Sequence, residues 1–127
     1  SLIDTAQRVN EHMPLYVANL VAKRARNSKS EILVIGLSYK AGVADLRESA
    51  SIKLIEHLRS QFENVNWWDE EVEIWNNQLP VDLNIKFNVV VITQIVSNPE
   101  ILEVISKADQ VIDCTGHFKK LPNVEVF

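Results

Sequence analysis

The chain has 127 residues, with 13 Lys and Arg against 17 Asp and Glu, a formal net charge of −4 and 46% apolar residues. These numbers predict one globular domain, and the acidic balance disfavours general nucleic-acid binding, which needs many phosphate-neutralising cations. The single cysteine excludes an intrachain disulfide framework, and three glycines cannot spell either of the common glycine-rich phosphate loops.

The sequence shows no signal for export or membrane insertion. No apolar run approaches the ~20 residues of a membrane span, and no basic segment precedes an apolar one as in a signal peptide. We therefore expect a cytoplasmic location. The start at Ser1 and Leu2, without Met, suggests a piece of a longer chain.

Residues 2–26 have the spacing of an amphipathic helix, with apolar residues at steps of three and four. These residues are Leu2, Ile3, Ala6, Val9, Met13, Tyr16, Val17, Leu20 and Val21. Pro14 predicts a kink or a restart, because proline removes one helical hydrogen bond. The polar stretch 27–30 predicts a boundary, with the helix in residues 1–27 and a separate domain in residues 28–127.

Beyond that boundary, apolar strand patterns alternate with helical ones. The predicted strands are 31–36, 65–69, 88–93 and 111–115, and the predicted helices are 47–62, 72–78 and one that Asn98 caps. The first strand is apolar almost throughout, as in strands buried on both faces of a parallel sheet. The pattern predicts an α/β fold, a parallel sheet with flanking helices preceded by a long N-terminal helix.

In this architecture ligands bind at the carboxyl ends of the strands, near the reversal of strand order. The first strand runs into Tyr39 and Lys40, where a tyrosine can stack on a planar ring and a lysine can hold a phosphate. The alternative is a packed loop tyrosine beside a solvated lysine. The third predicted strand ends at Thr93 and the last one runs through Asp113, and these two strand ends complete the predicted ligand-binding edge of the sheet.

The loop after the first strand leads into a helix through a possible capping box. Asp45 can cap that helix, with Glu48 three residues later, and Arg47 can also reach an anionic ligand. Capping as the sole role is the favoured interpretation of these residues, because short acidic caps are common at helix starts.

Other reactive or aromatic residues have simpler interpretations. Cys114 fits a small buried hydrophobe, since only His117 lies near it in sequence as an activating base. One cysteine and three dispersed histidines offer no metal-ligand spacing. Trp67 and Trp68 are predicted to face opposite sides of their strand, and the acidic residues after them disfavour a nucleic-acid platform.

The segment 35–50 resembles G-L-[AS]-[FY]-K-x₄-D-x-R-E-S of the UDP-glucose/GDP-mannose dehydrogenase family, the nucleotide-sugar 6-dehydrogenases. Residues 6–14 also resemble the long helix that joins the two halves of those enzymes. Asp69 resembles a strand-ending aspartate, and 111–113 resembles the last strand. The resemblance implies a Rossmann-like C-terminal UDP-binding domain, preceded by the end of the central dimerisation helix.

The resemblance implies an activity divided between this chain and another part of the enzyme. The family oxidises a sugar 6-hydroxymethyl group to a carboxylate, using NAD bound by an N-terminal domain. Its catalytic cysteine lies in an upstream G-x-C-x-P-K-D motif that Cys114 does not match. The chain is therefore expected to bind a UDP-sugar, to be inactive alone, to contact the NAD-binding domain and to form a homodimer through its N-terminal helix.

The resemblance implies site residues at individual matching positions of this sequence. Tyr39 and Lys40 match the family's nucleotide-side aromatic and substrate lysine, and Arg47 and Thr115 are further expected substrate contacts. The expected structural or capping residues near the site are Asp45, Glu48, Ser49 and Asp113. No residue of the chain is expected to be catalytic or to bind a metal.

Two departures leave the sugar open. Thr115 stands where many members have the arginine of D-x-R, and Thr93-Gln94-Ile95 lacks the histidine of T-x-H. A UDP-N-acetylhexosamine is therefore as compatible as UDP-glucose. The alternative function is a non-catalytic α/β interaction or dimerisation module; a response-regulator receiver fits less well, because no acidic cluster follows Gly36.

Overall fold

The structure is a computed structural model that describes residues 2–37, 49–118 and 121–126, with side chains from Met13 onward. The helices are α1 (Leu2–Arg24), α2 (Ala50–Arg59) and α3 (Pro99–Lys107). The strands are β1 (Glu31–Ile35), β2 (Asn64–Trp68), β3 (Val89–Ile92), β4 (Gln110–Asp113) and β5 (Val124–Val126).

The strands form one sheet in the order β2-β1-β3-β4-β5, and every neighbouring pair is parallel. All the carboxyl ends therefore lie at one edge of the sheet. The chain runs from β1 to β2 at one edge, then crosses back past β1 to β3 and continues outward through β4 to β5. The strand order therefore reverses between β1 and β3. The predicted α/β class with a parallel sheet is confirmed.

Both faces of the sheet are covered, which explains the apolar first strand. Ile32 and Val34 of β1 face a core layer shared with α1 and α2, whereas Leu33 and Ile35 face the layer shared with α3. All four side chains are completely buried. Trp67 and Trp68 likewise divide between the two layers, as their adjacency in β2 predicts.

Helix α1 continues through Pro14 to Arg24 as one helix. Of the predicted kink or restart at Pro14, the restart is therefore wrong and the kink stays a prediction. Of its side chains from Met13 onward, four buried ones, Met13, Val17, Ala18 and Val21, pack in the same core as α2. Tyr16, predicted on the apolar stripe, is instead 58% exposed. The second half of α1 thus shares the core of the domain, and the proposed boundary at residue 27 stays a prediction.

Helix α2 begins later than predicted, at Ala50, because Ser49 is its N-cap. The side chain of Ser49 accepts a hydrogen bond from the amide of Ile52 at 3.4 Å. The predicted cap, Asp45, and its partner Glu48 lie outside the described residues. Helix α3 begins as predicted, with Asn98 accepting from the amides of Glu100 and Ile101 and Pro99 in the first turn.

The helix predicted at 72–78 is wrong. Asn76 and Asn77 have φ of 54° and 60°, and Trp75 and Gln78 exchange backbone hydrogen bonds of 3.0 and 2.9 Å around them. Two consecutive residues of positive φ make a tight turn that fits between antiparallel segments and stops a helix. The turn lets residues 69–88 return to the start of β3 without a helix.

The sheet has one strand more than predicted, since β5 pairs with β4 at its edge. A bidentate ion pair joins this strand to the last residue of α1. Arg24 donates to Glu125 through Nε at 2.8 Å and Nη2 at 2.9 Å. This contact joins the end of α1 to the last strand across the face that carries the first core layer.

Candidate functional site

The reversal of strand order places the ends of β1 and β3 side by side, where parallel α/β sheets bind ligands. Gly36 follows β1 with φ +102°, a conformation that L side chains rarely adopt. A Cβ at Gly36 would lie 2.5 Å from Oγ1 of Thr93 and 3.0 Å from Cγ of Gln94. Glycine is therefore required for both its backbone angle and the close approach of Thr93.

Two hydroxyl groups connect this point to α2. Ser51 donates a hydrogen bond to Oγ1 of Thr93 at 2.9 Å. The Thr93 hydroxyl in turn reaches the carbonyl oxygens of Ile35 at 2.9 Å and Gly36 at 3.0 Å. The first turn of α2 and the end of β3 thus converge on the last backbone carbonyls of β1.

Asp69 directly follows β2 and binds the backbone just after β1, on the side of β1 opposite Thr93. Its Oδ2 accepts from the amide of Leu37 at 2.6 Å, and its Oδ1 accepts from the amides of Glu71 and Val72 at 2.7 and 3.2 Å. The side chain is only 5% exposed. A carboxylate here satisfies three backbone donors that would otherwise be left unpaired at the strand ends.

Ser49 completes the anchoring, because its hydroxyl donates to the carbonyl oxygen of Leu37. Leu37 and Ser49 stand on either side of residues 38–48. The two residues that flank this segment are therefore in direct contact. The predicted site residues Tyr39, Lys40, Asp45, Arg47 and Glu48 belong to it and lie outside the described residues.

The end of β4 is organised by a second buried aspartate. Oδ1 of Asp113 accepts from the amide and hydroxyl of Thr115 at 2.8 and 2.6 Å, and Oδ2 accepts from the amide of Phe118 at 2.8 Å. The hydroxyl of Thr115 also accepts from the amide of His117 at 3.1 Å. Asp113 therefore builds the turn, and the Thr115 hydroxyl is engaged within it.

Cys114 is half-buried and packs against the first core layer. Burial, together with the adjacent Asp113 charge, raises the pKa of its thiol from 9.0 to about 12. The thiol is therefore protonated at neutral pH, whereas a nucleophilic cysteine needs a lowered pKa. The chain's one cysteine is unsuited to nucleophilic catalysis.

Among the described residues, no cluster of three or more His, Cys, Asp or Glu is arranged to hold a metal ion. The helices in this part of the chain also include none long and apolar enough to cross a membrane. A cavity of about 610 Å³ lies between residues 83–86 and α3. Ser49, Asp113 and Thr115, the predicted site residues that the structure describes, do not line it.

Ser51 was not predicted at this edge, and Gly36 and Thr93 were predicted there only as strand ends, with no role of their own. The only local signal was the position of Gly36 and Thr93 directly after apolar strands. Asp69 was noted as a strand-ending aspartate, but its bond to Leu37 joins positions 32 residues apart and leaves no pattern in the sequence.

The sequence profile of the UDP binding domain of the UDP-glucose/GDP-mannose dehydrogenase family matches residues 33–126. The UDP-N-acetyl-D-mannosamine dehydrogenase of Pyrococcus horikoshii is 36% identical over 76 residues, covering 56% of this chain and 18% of that protein. The GDP-mannose 6-dehydrogenase of Pseudomonas putida is 35% identical over 72 residues, covering 57% of this chain and 16% of that protein. The matches thus span less than a fifth of these relatives.

Solved structures show the same fold. The UDP-N-acetyl-mannosamine dehydrogenase of Staphylococcus aureus superposes with a TM-score of 0.71 at 24% identity, covering 99% of this chain and 32% of that one. The Pyrococcus horikoshii enzyme superposes with a TM-score of 0.65 at 26% identity, covering 88% of this chain and 29% of that one. The sheet and its flanking helices are therefore the Rossmann-like arrangement of these dehydrogenases.

Proposed function

We propose, since this chain belongs to the UDP-glucose/GDP-mannose dehydrogenase family and contains its UDP-binding domain, that it holds the nucleotide of a UDP-sugar at the carboxyl edge of its sheet. The observation that carries the proposal is the match of the family's UDP binding domain to residues 33–126. The reversal of strand order beside Gly36 supports the same edge on independent physical grounds.

The proposed substrate contacts are Tyr39, Lys40, Arg47 and Thr115. Tyr39 and Lys40 follow the anchored exit of β1 and offer an aromatic face and a phosphate-binding charge. Arg47 adds a second cation before α2. Thr115 would contact the ligand through its methyl group or main chain, because Asp113 and the amide of His117 engage its hydroxyl.

Around these contacts, four residues have proposed structural roles. Ser49 caps α2 and binds the carbonyl of Leu37. Asp113 builds the turn that follows β4. Asp45 and Glu48 are proposed to support the segment between Leu37 and Ser49, by the D-x-R-E-S pattern alone.

For the whole enzyme we propose an NAD-dependent oxidation of the sugar 6-hydroxymethyl group to a carboxylate. This chain contributes substrate binding and orientation, and a portion outside it contributes NAD binding and the nucleophile. Three glycines supply no dinucleotide fingerprint, and the raised pKa of Cys114 disfavours a thiolate. We propose that the fragment alone is inactive and that the enzyme is cytoplasmic.

We propose an N-acetylated UDP-hexosamine as the sugar nucleotide. The support is the similarity to UDP-N-acetyl-D-mannosamine dehydrogenases from Pyrococcus horikoshii and Methanococcus vannielii, at 36% and 32% identity. Position 115 also carries threonine in place of the arginine of the D-x-R pattern, so it offers the sugar no cationic contact. UDP-glucose is the competing substrate.

Two protein contacts belong to the proposal. One is the NAD-binding domain of the same enzyme, and the other is a second copy bound through α1. Leu15 and Tyr16 of α1 are 56% and 58% exposed, and two adjacent large side chains of this kind on one helix suit a contact surface. An interaction module without substrate binding is the second candidate, and the same exposed residues favour it.

Titration calorimetry on the chain distinguishes these functions. We expect UDP and UDP-N-acetylmannosamine to bind, and UDP-glucose and GDP to bind more weakly, with Lys40→Ala weakening the uridine ligands. Lys29→Ala is the matched control, because Lys29 is an exposed lysine at the amino edge of the sheet. Dimerisation without binding of any nucleotide would favour the interaction module and overturn the proposed function.

A further inference from the structure

The hydroxyl groups of Thr93 and Ser51 form a chain of hydrogen bonds at the point where the strand order reverses. Ser51 donates to Thr93, so the one proton of the Thr93 hydroxyl must point to the carbonyl oxygens of Ile35 and Gly36. Ser51 is 4% exposed and lies in the first turn of α2. The end of β1, the end of β3 and the first turn of α2 are thus joined through two side-chain hydroxyls.

These bonds begin where the regular ladder of the sheet ends. The amide of Thr93 still donates to the carbonyl of Ile35 at 3.0 Å, as in a continued parallel ladder. At Gly36 the backbone turns to φ +102° and leaves the strand conformation. The Thr93 side chain then reaches the Gly36 carbonyl that the turned backbone carries away from the ladder.

The fit between Thr93 and Gly36 is close. A methyl group on Gly36 would fall 2.5 Å from the Thr93 hydroxyl oxygen, so the hydroxyl occupies space that only glycine leaves open. The amide of Gly36 is also bound, to the carbonyl of Trp68 at 2.8 Å. The exit of β1 is therefore held from β3 and α2 on one side and from β2 on the other.

We propose that Thr93 and Ser51 are positioning residues for nucleotide binding. They hold Ile35 and Gly36 in the conformation from which the chain enters Tyr39 and Lys40, so that less backbone freedom is lost when the ligand binds. Neither hydroxyl needs to touch the ligand for this role. The inference rests on the proposed function, because it concerns the same edge of the sheet.

The test compares the unmodified chain with Thr93→Val, Thr93→Ser and Ser51→Ala. Valine keeps the branched shape and removes the hydroxyl, whereas serine keeps the hydroxyl. Ser30→Ala is the control: Ser30 is also 4% exposed, but its hydroxyl accepts from the amides of Arg26 and Asn27 before β1. Calorimetry with UDP and amide hydrogen exchange are measured where denaturation curves show every variant folded.

We expect Thr93→Val to weaken UDP binding by about threefold to tenfold, the range of one lost hydrogen bond. The amides of Gly36 and Leu37 should exchange faster in this variant, and Thr93→Ser should restore both measurements. Ser51→Ala should change both in the same direction by less. Ser30→Ala should lower stability while leaving UDP affinity and these two amides unchanged.

The outcomes separate the two proposals. Equal UDP affinity in Thr93→Val and the unmodified chain would overturn the positioning role and leave the proposed function standing. Equal losses of affinity in Thr93→Val and Ser30→Ala would also overturn it, because global stability would then explain the effect. No UDP binding by the unmodified chain would overturn the proposed function and the positioning role together.

Discussion

The carboxylate of Asp69 accepts a hydrogen bond of 2.6 Å from the backbone amide of Leu37, and so joins the residue that follows β2 to the segment that follows β1. The same side chain accepts the amides of Glu71 and Val72 that begin the return to β3. One buried side chain therefore fixes both the neighbourhood of the proposed site and the route of the chain that follows β2.

Replacement of Asp69 by alanine should leave these three amides without their acceptor. We expect a loss of about 2–4 kcal/mol in the free energy of unfolding, because unpaired buried donors cost more than a lost bond. Asp69→Asn should lose less, since its one carbonyl oxygen can still accept on one side. Chemical denaturation measures both variants, and Glu70→Ala at the exposed neighbouring position is the control. Equal stability of Asp69→Ala and Glu70→Ala would contradict this role.

Two glycines of positive φ offer a matched comparison. Gly36 has φ +102° with Thr93 in contact range, whereas Gly116 has φ +75° and no heavy atom of the described residues within 4 Å of the position that a Cβ would take. Gly116→Ala should cost about 1–2 kcal/mol from backbone strain alone. Gly36→Ala should cost about 3 kcal/mol or more, since a steric clash is added.

Thermal or chemical denaturation measures this difference. Removing the side chain that clashes, in the double variant Gly36→Ala with Thr93→Ala, should cost less than the sum of the two single changes. Simple additivity of the two losses would contradict a shared space between residues 36 and 93.

The thiol of Cys114 should react slowly in the folded protein. Its pKa is raised to about 12 by burial and by Asp113, so the reactive thiolate is scarce at neutral pH. Alkylation by iodoacetamide should be slow in the folded chain and fast in denaturant, as followed by mass spectrometry. Rapid alkylation of the folded chain would show an accessible, activated thiol.

The same group should make stability depend on alkaline pH. The folded state holds the thiol proton more tightly than the unfolded state, whose pKa is near the ordinary value of 9.0. The stabilisation is complete below that value and is lost as pH rises from about 9 toward 12. Cys114→Ala should have a shallower decline in stability over this window, measured by denaturation at each pH; parallel curves would contradict the prediction.

The ion pair between Arg24 and Glu125 should contribute little to the free energy of unfolding, and added salt should reduce that contribution. Its hydrogen bond and charge lower the pKa of the Glu125 carboxyl, so the contribution is present above the ordinary glutamate range and is lost as pH falls through the lowered pKa. Glu125→Gln should abolish that acid dependence and make α1 amides near Arg24 exchange faster. Glu103→Gln, which breaks the exposed pair with Lys107, is the control and should leave those amides unchanged.

Sequence reasoning succeeded where short-range physics decides the structure. The apolar run of β1 correctly predicted a strand buried on both faces. The cap at Asn98 was predictable because its side chain binds the amides of residues only two and three positions later. It failed at 72–78, where the left-handed Asn76-Asn77 pair overrides an apolar spacing that also suits a helix. It also missed β5, whose three residues are half-buried or exposed and carry no strong period.

The candidate site was predictable as an edge of the sheet but not as a set of contacts. The rule for parallel sheets correctly identified the strand ends that converge. The bond between Ser51 and Thr93 joins residues 42 positions apart, and that between Asp69 and Leu37 joins residues 32 apart. Such pairings depend on strand order and register, which no local spacing records.

The three tryptophans are divided between the two core layers, so intrinsic fluorescence can monitor the packing of both layers. Trp67 and Trp75 meet edge to face with ring centroids 6.2 Å apart, in the layer that α1 and α2 cover, while Trp68 packs in the layer of α3. Two of the three tryptophans therefore lie in the first layer and one lies in the second. Loss of packing in the first layer alone would change the emission of Trp67 and Trp75, while Trp68 would still report on the layer of α3.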